Sequence, residues 1–180
     1  MRLRLILLLI FLSHFVAQVN AQKVTGEGAG KVTSSGNQKP AFKIAAPAGW
    51  ERKDTILEST FFTVFISPPD GLGDKFRENL NIISEDVEDM NLEEYYEYSR
   101  EDIFTLPDIK ILNQRDSVIN GMDFKILHYS FFTEQYETEA MVYVTLIKGK
   151  SFVITCGCLK GQMEAWKKPF ENIIATFKVE

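Results

Sequence analysis

Apolar and polar positions alternate over residues 42–46, until Pro47 stops the run ahead of Gly49 and Trp50. Residues 61–66 are a dense aromatic and β-branched run, closed by Pro68, Pro69, Asp70 and Gly71, and residues 79–84 form a third apolar stretch. All three read as strands. The period then changes. Leu92, Tyr95, Tyr96, Ile103 and Leu106 recur at helical spacing after Asn91, with Glu94 three residues on as the second half of a capping box. Pro107 marks the end of that helix, and Glu93, Glu94, Glu97, Arg100 and Glu101 form its wet face.

Residues 109–118 and 122–132 flank Asn120-Gly121, a hairpin signal because both positions tolerate positive φ. Residues 138–147 and 151–158 flank Lys148-Gly149-Lys150, a second hairpin with three loop residues. Met163, Trp166, Phe170, Ile173, Ile174 and Phe177 return to helical spacing, with Pro169 expected in the first turn of the main C-terminal helix. About seven strands joined mostly by hairpins, with two amphipathic helices, predict an α+β fold: an antiparallel β-sheet of about six to seven strands sandwiched by helices.

The N-terminus reads differently. Arg2 and Arg4 precede an apolar run over residues 5–12, and Val19-Asn20-Ala21 places small residues at −3 and −1 of a cut after Ala21. That is the layout of a secretory signal peptide over residues 1–21, with a run too short to span a bilayer. Residues 22–40, rich in Gly, Ser and Thr, read as a flexible leader, and residues 41–180 as a single domain opening near Phe42. The expected localisation is secreted or periplasmic, without stable membrane insertion after cleavage.

Charge narrows the partners. The 180 residues carry a net charge of −5; without residues 1–21, which hold two of the 20 basic side chains and no acidic one, the balance is 18 basic against 25 acidic, or −7. Such a chain is repelled by phosphate backbones, and no basic stripe offsets this, so nucleic acid is not an expected ligand. His14 falls in the signal segment, leaving His128 as the single histidine beyond it. No two-His metal site and no second His-dependent triad can be built, and no cofactor or metal is expected.

Cys156 and Cys158 share one strand face with Phe152 and Ile154. Two buried thiols are the leading reading, with a strained disulfide across one residue or a functional thiol as alternatives. His128 and Ser130 also share a face, with Asp116 or Asp123 as candidate orienters across the hairpin. Nothing marks an oxyanion hole or a Gly-x-Ser-x-Gly turn, so an ordinary surface or edge histidine is favoured over a hydrolase. The acidic stretch over residues 85–89, followed by Glu93, Glu94 and Glu97, lacks the spacing of a calcium loop. It reads as a solvated helix entry, or more sharply as an acidic surface for a protein partner. The loop from Pro68 to Asp74 is no phosphate cradle; it is a connector or a binding lip. Aromatic side chains are plentiful, and Trp50, Tyr95, Tyr96 and Trp166 are the ones that would line a cleft if core packing does not claim them.

Residues 42–50 (Phe-Lys-Ile-Ala-Ala-Pro-Ala-Gly-Trp), residues 78–83 ahead of Leu92-Glu93-Glu94-Tyr95, and the closing Pro169-Phe170-Glu171-Asn172-Ile173-Ile174-Ala175-Thr176-Phe177 together carry a resemblance. Residues 42–179 resemble the superfamily of PsbP, the extrinsic subunit of photosystem II, the bacterial envelope protein DcrB and a Ran-GTPase-binding import factor. The resemblance implies an antiparallel sheet between helices and a mostly non-catalytic accessory role without a shared active site. It transfers no metal or GTPase contact to any position of this sequence.

The resulting expectation is a non-catalytic accessory or binding protein of the cell envelope whose partner is an unidentified envelope or secreted protein. Its expected contact surface is Asp70 and Asp74 in the loop with Glu93, Glu94, Glu97 and Glu101 on the helix. A small-molecule carrier with an aromatic-lined cleft between sheet and helix is the second reading, and a hydrolase using His128 the third.

Overall fold

The structure, a computed structural model, describes residues 42–180 apart from residues 58–59, 75, 88 and 134. The expected signal peptide and leader, and Glu88 of the acidic stretch, lie outside the described residues. Among the described residues nine strands and two helices follow in order: β1 (Phe42–Lys43), β2 (Glu51–Leu57), β3 (Thr60–Ile66), β4 (Asn79–Asp86), α1 (Leu92–Ile103), β5 (Lys110–Ile119), β6 (Met122–Phe132), β7 (Glu137–Ile147), β8 (Lys150–Leu159), α2 (Met163–Ile174) and β9 (Lys178–Val179). β2 to β8 make one seven-stranded sheet in the order β2-β3-β4-β8-β7-β6-β5, antiparallel at every step, while β1 and β9 pair as a separate two-stranded ribbon.

Local chemistry sets the corners. Asn120 (φ 53°) and Gly121 (φ 75°) turn β5 into β6, and Lys148 (φ 53°) and Gly149 (φ 71°) turn β7 into β8. Both are two-residue loops with positive φ at both positions, the geometry whose twist matches that of the flanking strands. Lys150 therefore belongs to β8, paired with Ile147, and the second loop is one residue shorter than its sequence suggested. Asn120 also reaches away from its own turn: its Nδ2 donates to the Ala175 carbonyl (2.8 Å) and to the Phe177 carbonyl (3.0 Å), tying the chain after α2 to the hairpin. The capping box of α1 is closed in both directions, Glu94 N–H to Asn91 Oδ1 at 3.1 Å and Asn91 N–H to Glu94 Oε2 at 2.9 Å.

Strand alternation divides the central strands between two cores. Phe65, Leu80, Ile82, Phe124, Ile126, Met141, Tyr143, Phe152, Ile154, Cys156 and Cys158 face α2, which lays Met163, Phe170, Ile173 and Ile174 on them. Burial of each of those four side chains contributes about 1.5–3 kcal/mol. Phe62, Ile83, Leu127, Tyr129, Phe131, Ala140, Val142, Val144 and Val153 face the other way, under Tyr95, Tyr96, Ile103 and Leu106. The sheet is thus covered on both faces, as the expected sandwich requires.

Three elements differ from expectation. The alternation over residues 42–46 yields only the two-residue β1, because its partner is the short C-terminal β9 rather than the sheet. The edge place is taken by β2, whose Glu51-Arg52-Lys53-Asp54 opening carries no strand signal; exposed edges tolerate and favour such charge. Pro169 lies inside α2 rather than in its first turn. Its missing N–H removes one helical bond, and the apolar stripe from Met163 to Ile174 keeps the helix continuous across that gap.

Candidate functional site

At one end of the α2 face the apolar rows give way to polar side chains. Glu139 on β7 lies cross-strand from Ser130 on β6 and from Cys158 on β8, and His128 stands two residues before Ser130 on the same face. Glu139 is 7% exposed, so its carboxylate needs partners where it sits. It has two. The His128 ring meets it at 2.7 Å through Nε2, and the Gly161 N–H donates to its other oxygen at 2.9 Å. Gly161 adopts φ +83° in the turn that launches α2, a conformation that favours glycine. One buried carboxylate therefore fixes both the histidine and the start of the helix. Where the carboxylate is ionised it can only accept, and Nε2 is then the donor of this contact.

Beside this pair lies a cleft of about 380 Å³. Ile126, Met141 and Met163 give it an apolar floor, and Asn113, Arg115, His128, Glu139, Glu164 and Lys167 give it polar walls from β5, β6, β7 and α2. Arg115 stands 3.8 Å from Glu171. Glu164 and Lys167, one helical turn apart, make no ion pair with each other or with any other described residue. The charges that line the cleft thus include both signs, and part of them is unused by the fold.

The residues singled out from sequence fall in several places. His128 lines the cleft, on the interior strand β6 rather than at a surface edge, and its acidic partner is Glu139. Asp116 and Asp123 project from the opposite face; Asp116 pairs there with Lys125 at 3.1 Å, so neither can orient His128. Ser130 is 1% exposed and is not presented as a nucleophile. Trp50 and Trp166 meet edge to face at 6.0 Å and pack on Phe170, on the flank of α2 away from the cleft. Tyr95 and Tyr96 belong to α1 and are buried between it and the other side of the sheet, where Tyr95 donates to Glu85 at 2.7 Å. Burial, then the Glu85 carboxylate, pushes the Tyr95 phenol well above its ordinary range. The four aromatics do not share a cleft, because Trp50 and Trp166 pack in the core on the α2 side of the sheet and Tyr95 and Tyr96 in the core on the α1 side.

The acidic residues are largely engaged. Glu93 pairs with Lys125 at 2.5 Å, Glu94 closes the capping box, and Glu97 pairs with Arg100. Glu101 is exposed on the same helix. Asp74 organises its own loop, accepting from the Asp70 and Phe76 N–H groups at 3.0 Å each. Behind that loop the buried Glu78 accepts from the Ser67 hydroxyl at 3.1 Å, and its carboxyl is pushed up, chiefly by burial and further by Asp70 and Asp74. Cys156 and Cys158 are free and fully buried, and burial raises both thiols, Cys158 to about 12. Thiols held protonated in a core strand are neither nucleophiles nor metal ligands. Among the described residues, no three His, Cys, Asp or Glu side chains gather where they would hold a metal ion.

Sequence reasoning found His128 but missed Arg115, Glu139, Glu164 and Lys167. Only one weak signal was available, Glu139 directly ahead of the apolar run of its strand; the others are ordinary surface charges until the fold brings them together.

A seven-stranded antiparallel sheet between two helices, closed by a short terminal ribbon, is the PsbP-like α+β fold. Solved structures with this arrangement include PsbP of the cyanobacterium Synechocystis sp. PCC 6803 (TM-score 0.59, 18% identity, 88% of this chain and 99% of that one). LpqN of Mycobacterium tuberculosis, a protein involved in cell envelope biogenesis, superposes with a TM-score of 0.61 at 12% identity, over 81% of this chain and 87% of that one. Protein PA94 of Pseudomonas aeruginosa gives 0.57 at 14% identity, over 76% and 96%. No family model and no curated protein sequence matches the chain.

Proposed function

We propose that this chain is a non-catalytic accessory protein of the cell envelope that works by binding, and that its ligand sits in the cleft between α2 and the β5-β6-β7 end of the sheet. The observation that carries the reading is the cleft itself: about 380 Å³, with an apolar floor and charged walls whose Glu164 and Lys167 are unpaired among the described residues. That volume lies within the usual range for small-molecule sites. The signal-like residues 1–21 and the fold shared with LpqN support the compartment, and no described helix is long and apolar enough to cross a membrane. Ser130, the serine that shares the face of His128, is buried and not presented as a nucleophile, which supports binding over hydrolysis by that pair.

The test is equilibrium dialysis of the purified protein against a small-molecule extract of its host, read by mass spectrometry, for the natural chain and for Asn113→Trp. Asn113 is exposed on the cleft rim, so the indole fills the cleft without disturbing the core. Enrichment of a compound by the natural chain and its loss in the variant is the expected result. Equal enrichment by both places the ligand elsewhere. A parallel charge reversal at Glu94 and Glu97 that abolished binding of an envelope protein would instead move the function to α1.

A further inference from the structure

The cleft also specifies what kind of molecule it takes. We infer, resting on the binding reading above, that its ligand is a small zwitterion with a compact apolar body, the simplest case being an apolar α-amino acid. Arg115 and Lys167 supply positive charge, and Glu139 and Glu164 negative charge, around the floor of Ile126, Met141 and Met163. The Glu139 carboxylate is already met by His128 and the Gly161 N–H, so the anionic group of the cleft left unpaired among the described residues is Glu164. Among the described residues Lys167 makes no ion pair, and Arg115 is met by Glu171 at 3.8 Å. A purely anionic ligand would gain from Lys167 and Arg115 but would lie against Glu164; a purely cationic one would meet the reverse. A molecule bearing a carboxylate and an ammonium satisfies both groups at once. Glu164 and Lys167 stand at the i, i+3 spacing where such side chains ordinarily pair, and they leave each other free. The apolar floor needs a ligand with a hydrocarbon side chain, since a fully polar body would leave those three side chains facing unfavourable solute.

The experiment is calorimetric titration of the purified full chain with the apolar α-amino acids, each alongside its N-acetyl derivative and its carboxamide. The proposal expects at least one amino acid to bind, with both blocked forms weaker by about tenfold or more, the worth of one charge-assisted hydrogen bond. Lys167→Ala should erase the difference between acid and carboxamide, and Glu164→Ala the difference between amine and N-acetyl form. Both residues are exposed, so neither change threatens folding. An N-acetyl form that binds as tightly as its parent overturns the zwitterion and leaves a simple anion site in the same cleft. No binding across the panel, while an extract compound is still retained in a manner blocked by Asn113→Trp, overturns the ligand class alone. No Asn113→Trp-sensitive binding of any kind overturns both.

Discussion

Glu139→Ala is the perturbation that reports most on how the site is held together. It removes the 2.7 Å contact to His128 and the 2.9 Å acceptor of the Gly161 N–H. A hydrogen bond involving a charged group contributes about 1.5–3 kcal/mol. Gly161 is exposed, so its N–H regains water when the carboxylate is gone, and that second bond adds little to the loss. The His128 side chain is 22% exposed and recovers only part of its hydration. The net expectation is a loss of about 1.5–3 kcal/mol for Glu139→Ala. Glu139→Gln keeps an acceptor for Gly161 and offers an amide N–H to Nε2, with the imidazole proton moved to Nδ1, so it should cost under about 1 kcal/mol. Urea unfolding followed by tryptophan fluorescence measures both, because Trp50 packs on Trp166 of α2. An alanine variant within about 0.5 kcal/mol of the natural protein, the ordinary effect of a surface substitution, would refute the reasoning. So would a glutamine variant as damaged as the alanine one.

Three further outcomes follow from the fold. Cys156 and Cys158 should be inert to a thiol reagent in the native protein and react together, two per chain, once guanidinium unfolds it; rapid native labelling would show that β8 opens locally. Asn120→Ala should cost about 1–3 kcal/mol in urea midpoint measurements, since it removes two hydrogen bonds to the chain after α2 and places a Cβ-bearing residue without a polar side chain at φ 53°. Glu78 sets a pH dependence: its folded carboxyl is raised while the unfolded one ionises near 4.5, so the native state holds the proton more tightly. The associated stabilisation is complete below 4.5 and is lost as pH rises through the raised folded value. Glu78→Gln should flatten that limb of the stability curve, and an unchanged slope would mean that Glu78 does not titrate between the two states.

The parts of this fold that were legible are those fixed by local chemistry. Asn120-Gly121 turns where positive φ is tolerated, Gly149 marked the second hairpin though its loop is one residue shorter than read, and Asn91 with Glu94 starts a helix by satisfying its own end groups. Phe152, Ile154, Cys156 and Cys158 declared their common face because a strand repeats every two residues. β2 was hidden, since an edge strand with Glu51-Arg52-Lys53-Asp54 has the composition of a loop and its pairing partner is set by the neighbouring sheet. Pro169 misled for the opposite reason: a local rule against proline was outweighed by the packing of the whole α2 stripe. The site was the least legible part. Arg115, Glu139, Glu164 and Lys167 come from three elements, and their convergence depends on β5, β6 and β7 being neighbours and on α2 crossing that end of the sheet.

Native mass spectrometry of the protein, isolated gently from its own envelope fraction, tests the binding claim most directly. The account predicts an added mass on the order of a few hundred daltons, the size a cleft of this class holds, and its loss in Asn113→Trp. A bare chain, or an added mass that survives the filled cleft, would contradict it.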